Sequence, residues 1–373
     1  MRTAVSVLAL AALVSTVGHA QTHTIIALGH EDFSVNELDP STGAIVHVFR
    51  AVNQPHEAAI SPDGRTIYAS VPQAGHVVIL DAATFKEKGR IDTPFFHGRT
   101  PPPPGGRGGG RGRGTVEAGA AEPTRGRGLQ GISASDSSSP HGMGLNADGS
   151  KLYIGVEQAD VPGVVVYDTK AAKVLKKIDL VLRGGHYLQV HPATGNVYYP
   201  HRTDNRVIVI DGKTDTIRKI VDVAGGPVGV DFAPNGDVWI HGDGASGVEG
   251  TVTVIDSKTD AVTATIQTPG KGAGRIAVSR DGKWAASTHG TTRDVAIIDT
   301  GTKAVVASVV VDGGPAFPLF SPDGTKLYVM VSSTSDVVVI DVKTMKVVNR
   351  WKAGESTFGG GLRFPAGRPA SHD

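Results

Sequence analysis

The sequence predicts an all-β fold, a seven-bladed β-propeller of four-stranded antiparallel blades, and three observations predict it. The first is a turn repeat: SPDG, NADG, HPATG, APNG, SRDG, SPDG and FPAG end at Gly64, Gly149, Gly195, Gly236, Gly282, Gly324 and Gly367. The second is an aspartate closing an apolar run, at Asp39, Asp81, Asp168, Asp211, Asp256, Asp299 and Asp341. The third is the text between the markers, short β-branched and aromatic runs at a period of about 42 to 46 residues with no helical periodicity.

Along the chain, residues 1–20 read as a removed signal peptide. Arg2 is a short basic start, residues 4–14 are apolar, and Gly18 and Ala20 are small residues suited to cleavage before Gln21. A periplasmic or secreted protein is therefore expected, without a membrane span, because no later stretch reaches the roughly 18 to 20 apolar residues that a spanning helix needs.

A single propeller is expected over residues 21–367, with 368–373 as a tail. TIIALGH, FSVNELD and IVHVFR supply three strands of blade one, and GLRFPAG (361–367) matches the missing innermost strand and its turn. The last strand should complete the first blade, because a propeller must hide its first and last edges against each other. Later units give four strands each, as in KLYVMV, VVVID and KVVNRW. Tyr68, Tyr153, Tyr198, Trp239 and Tyr328 recur at one position of the second strand, which reads as packing between blades.

One insertion interrupts the repeat, over 97–139 between blades two and three. Its Gly, Pro, Arg and Ser content cannot bury a core and should stay disordered. It leaves and returns on the same face as the histidines described below. A tolerated loop expansion is one reading; the other is an arm for anionic ligands, through Arg99, Arg107, Arg111, Arg113, Arg125 and Arg127.

Composition excludes several chemistries. There is no cysteine, so disulfides, thiolate metal sites, iron–sulfur clusters and covalent c-type haem are out. With 37 basic against 36 acidic side chains, net charge exerts no pull toward nucleic acid or membrane. No nucleotide-binding glycine loop or Gly-x-Ser-x-Gly elbow occurs.

The repeat also says which side chains converge. His56, His141 and His186 each stand six residues before the turn residue of a unit, Pro62, Ala147 and Pro192. They occupy one slot at the start of the innermost strands of blades two, three and four, facing the mouth of the central channel. His30, His201, His241 and His289 end second strands of blades one, four, five and six on the same face. Blade seven offers GGPAFPLF instead, giving the mouth an apolar side at Phe317.

Imidazole near neutral pH is available as base, acid or neutral metal ligand. His56, His141 and His186 are the candidate ligands of a divalent transition metal. His201, His241 and His289, with Glu57 and Glu157, are the candidate catalytic groups, and His30, Phe317, Arg99 and Arg107 the candidate ligand contacts. For any one of these histidines alone, channel-lining polarity bonded to backbone and water is the favoured reading; it is the set together that points to a binding or catalytic pocket.

The text resembles the YVTN-type propeller repeat. SPDGTKLYVMV with VVVIDVKT (321–344) and NADGSKLYIGV with VVVYDTK (146–170) are the closest copies, while His201 and His289 stand where the family often has Asn. The resemblance implies the fold, and relatives that are lactonase-like or similar to virginiamycin B lyase. It implies hydrolysis or elimination at an ester or lactone as the chemistry of a catalytic member. The alternative is a non-catalytic scaffold that holds a protein or acidic polymer. The expected partner is a small ligand or a periplasmic or extracellular protein, nucleic acid is not expected, and a monomer is.

Overall fold

The computed structural model describes residues 23–96, 139–157, 162–243 and 249–364. The insertion, with Arg99 and Arg107, lies outside them apart from Ser139, as do the leader and the tail.

The described residues form seven separate four-stranded sheets, each an antiparallel meander. Strand Thr357–Arg363 pairs with Thr24–Gly29, so blade one takes its innermost strand from the C-terminal end of the chain. The closure is therefore as the repeat predicts. The remaining helical structure is two three-residue 3₁₀ turns, and no helix of the described residues is long and apolar enough to cross a membrane.

Two turns set each blade. The Asp-Gly turns carry left-handed glycines, φ +69° at Gly64 and +71° at Gly149 and Gly282, a conformation that a side chain opposes. The second turn starts at the repeated aspartate. Asp211 Oδ1 accepts from the N–H groups of Lys213 and Thr214, both at 2.9 Å, and Asp256 does the same for Lys258 and Thr259. Four residues beyond the aspartate the chain is left-handed in every blade, even at Phe85, Lys303 and Met345. A bulge follows in each pairing of the third and fourth strands.

The core lies between blades. First, second and third strands are mostly buried and outermost strands mostly exposed. Two of the recurrent aromatics tie a blade to the next: Tyr153 donates to Asp215 Oδ1 at 2.6 Å and Tyr198 to Asp260 Oδ1 at 3.2 Å. Both acceptors sit at the left-handed position of the following blade's turn, so one residue both shapes a turn and anchors a neighbour.

Candidate functional site

Two successive slots of the innermost strand face the axis. Five residues before the turn residue stand Glu57, Gly142, Tyr187, Gly229, Arg275, Phe317 and Gly360. The four side chains among them meet across the channel. Arg275 Nη2 lies 2.7 Å from Glu57 Oε1, its guanidinium lies 5.2 Å from the Tyr187 ring centre, and Tyr187 meets Phe317 edge to face at 5.7 Å. Glycine fills the other three slots, where a Cβ would collide with a neighbour: at Gly142 with the His186 carbonyl oxygen and at Gly360 with that of Ile26. A Cβ at Gly229 would stand 3.0 Å from Arg275 Cδ.

This layer divides the channel. On the side of the Asp-Gly turns a cavity of about 500 Å³ runs past Met143, Val190, Val230 and Leu319 to Pro62, Pro192 and Pro322. On the other side is the histidine mouth.

The slot histidines meet there as neighbours. Ring centres of His56 and His141 are 4.2 Å apart, and those of His141 and His186 are 4.5 Å apart. His30 extends the arc, 4.9 Å from His56, and Phe358 stacks on His30 at 4.8 Å. His56 Nδ1 is 3.7 Å from Glu57 Oε1, and His141 Nε2 is 3.6 Å from Glu157 Oε2. Donor atoms of His56, Glu57 and His141 all lie within 4.8 Å of one another, so a carboxylate joins two of the imidazoles as a possible ligand set. His186 sits at the end of the arc against Arg275 Nη2, 3.2 Å from its own Nδ1.

The protonation states follow from the surroundings. His141 Nδ1 is 3.2 Å from the carbonyl oxygen of His186. A carbonyl only accepts, so Nδ1 carries a proton, and in the neutral ring the lone pair then falls on Nε2, the nitrogen on the side of Glu157. Burial pushes His30 down to about 4, against the pull of Glu57, and pushes His186 well below its usual range with the Arg275 charge assisting. These two rings are neutral at physiological pH.

The strand-end histidines go elsewhere. His201, His241 and His289 are 0% exposed and bond inside the wall. His201 Nδ1 donates to the Arg183 carbonyl at 3.2 Å. His241 Nδ1 pairs with Ser287 Oγ at 2.8 Å, and His289 Nε2 with Thr268 Oγ1 at 2.9 Å while its Nδ1 lies 3.3 Å from Asp294 Oδ2. They line the ring behind the arc, each fully buried. Asp243, beside them, is buried against Arg202, and burial raises its carboxyl despite that pairing.

Phe317, expected on the mouth, belongs to the dividing layer, and the aromatic neighbour of the arc is Phe358. Arg275 and Phe358 are the site residues that sequence reasoning missed. The signal for Arg275 was present, because it occupies the same slot as Glu57 with the opposite charge. Phe358 had none, since it precedes the segment recognised as the closing strand.

No protein-family model matches the chain, and no curated protein is found to be similar to it. Solved structures are similar in fold. Hydrazine synthase from Kuenenia stuttgartiensis is 19% identical over 82% of this chain and 88% of that one, with a TM-score of 0.65. A functionally unknown protein from Desulfotomaculum acetoxidans is 12% identical over 91% of this chain and 99% of its own, with a TM-score of 0.70. Dihydro-heme d1 dehydrogenase NirN in complex with DHE is 16% identical over 89% of this chain and 64% of that chain, with a TM-score of 0.59. At these identities the likeness is one of fold.

Proposed function

We propose that this is an exported propeller that binds a small ligand at its histidine-lined mouth through a divalent transition metal held by His56, Glu57 and His141. The observation that carries the reading is that His56, Glu57 and His141 each offer a donor atom within 4.8 Å of the others, while the Nδ1–H of His141 is held by the His186 carbonyl. Metal-binding histidines commonly donate their second N–H to a carbonyl, as His141 does. Two imidazoles and a carboxylate are a donor set that a divalent transition metal would accept.

Bound there, the metal would supply Lewis acidity toward a ligand oxygen. The chain contributes the rest: Glu157, beside His141, is placed to take a proton, and Phe358 with His30 offers a flat wall. Hydrolysis or elimination at an ester or lactone suits such a set, and the YVTN-type text supports that chemistry by resemblance. The ring shared with two proteins of enzymatic name, one in complex with DHE, is compatible with a ligand-binding role.

The test is elemental analysis of the full chain purified from a periplasm, before and after chelation, followed by Co²⁺ titration. About one equivalent is expected, with affinity at least 10- to 100-fold weaker in His141→Ala. Substoichiometric metal in every preparation and no Co²⁺ uptake would sink the metal reading and leave the ring as a scaffold.

A further inference from the structure

We propose that Arg275 assigns the parts in the mouth: it holds Glu57 as an oxygen ligand beside His56 and His141, and it makes His186 a hydrogen-bond donor toward a carbonyl- or carboxylate-bearing ligand. The half concerning Glu57 rests on the metal reading above; the half concerning His186 does not.

A guanidinium has five N–H donors, no acceptor and a permanent charge. Arg275 Nη2 stands 3.2 Å from His186 Nδ1, so that nitrogen must offer its lone pair. The ring proton of neutral His186 is then on Nε2. His141 is the reverse, with its proton on Nδ1 toward the His186 carbonyl and its lone pair on Nε2. Two rings in equivalent slots of adjacent blades thus carry opposite tautomers, and Arg275 is the cause of the difference. With one lone pair engaged and the other nitrogen protonated, His186 has nothing to give a metal. It has an N–H to give a ligand oxygen.

The same guanidinium sets Glu57. Oε1 is 2.7 Å from Arg275, while Oε2 is buried with no hydrogen-bond partner, on a side chain 1% exposed. An unmet buried acceptor is costly, and a cation shared with His56 and His141 removes the cost.

Arg275 is not free to leave this position. Its Nη1 donates to the Gly274 carbonyl at 3.1 Å, its guanidinium lies over Tyr187 and 5.8 Å from the Phe358 ring, and Gly229 makes room for its stem. It is a positioning residue on this account, because the ligand meets His186 and the metal rather than Arg275.

Two-bond ¹H–¹⁵N spectra of full-length protein labelled in its histidine rings read the tautomers without any metal. His186 should show the Nε2–H pattern and His141 the Nδ1–H pattern. In cobalt-loaded protein, His186→Phe should weaken binding of acetohydroxamate, a carbonyl-bearing probe, by about 10-fold. It should leave Co²⁺ affinity within about threefold, and His186→Gln, which keeps a donor, should restore the probe. Arg275→Met should weaken Co²⁺ by about 10-fold or more. Should that variant fail to fold with Glu57 uncompensated, Arg275→Met with Glu57→Gln removes both charges, and His186 should then lose its single Nε2–H pattern.

An Nδ1–H proton on His186, or a Co²⁺ loss in His186→Phe as large as in His141→Ala, overturns the proposal. If the wild type takes up no Co²⁺, the metal reading fails together with the role given to Glu57. The nitrogen spectra still decide His186.

Discussion

His201 illustrates at the residue scale what the wall of the ring does to an imidazole. It is 0% exposed, its Nδ1–H is spent on the Arg183 carbonyl, and its Nε2 has no hydrogen-bond partner. Burial pushes its pKa down to about 4 from 6.5, outweighing that hydrogen bond. The unfolded chain therefore binds a proton that the folded chain refuses between those two values. Stability supplied by neutral His201 is present above about pH 6.5 and is lost as pH falls toward 4. The loss amounts to about 2 kcal/mol between pH 7 and 5 and roughly 3 kcal/mol in full. Urea unfolding at pH 7 and pH 5 should show that His201→Asn removes that portion of the pH dependence; an unchanged slope would refute the assignment. The sequence showed where His201 lies along its blade, but its histidine alone does not say whether a ring faces ligand or wall. That depends on the neighbouring blade, which contributes no pattern to the repeat.

The blade as an element owes its shape to two turns, and the turn glycines are not interchangeable. Gly195 and Gly282 are both left-handed, at φ +74° and +71°. A Cβ on Gly195 would meet nothing within 4 Å, whereas one on Gly282 would come within 3.1 Å of Pro234 Cδ in the preceding blade. Gly195→Ala should cost about 1 kcal/mol from backbone strain alone. Gly282→Ala should cost more, about 2 kcal/mol, because the proline ring must also give way. Denaturant midpoints of the two variants compare them directly, and equal losses would argue against the contact. Turns of this kind were legible in the sequence because SPDG and its variants state their own conformation. The interblade contact was not, since it depends on how closely two blades approach.

For the whole molecule, everything depends on one closure. Thr357–Arg363 completes blade one, and Arg363 fixes it there: Nη1 is 2.5 Å from Glu37 Oε1 and Nε is 3.0 Å from the Gly64 carbonyl of blade two. Glu37 is 1% exposed and also receives the Thr24 hydroxyl. Removing Arg363 leaves the buried Glu37 with only the Thr24 hydroxyl and His47, whose Nδ1 is 2.8 Å from Oε2, so Arg363→Ala should cost about 3 kcal/mol. Ending the chain before Thr357 should abolish cooperative unfolding of the ring, because the edge of Thr24–Gly29 is then bare. Thermal unfolding followed by circular dichroism reads both outcomes, and a truncated chain that still melts in one sharp transition would contradict the closure.

By itself the sequence determined the seven blades, the closing strand and the arc of His56, His141 and His186. A repeat places equivalent residues at equivalent heights and angles around one axis, so periodicity carries that information. Only the tertiary structure decided that Arg275 reaches Glu57 across 218 residues of chain, that Phe317 sits in the dividing layer while Phe358 joins the mouth, and that His201, His241 and His289 turn into the wall. Those outcomes depend on the radius of the channel and on which side chains fill it together, distances that a period along the chain does not contain.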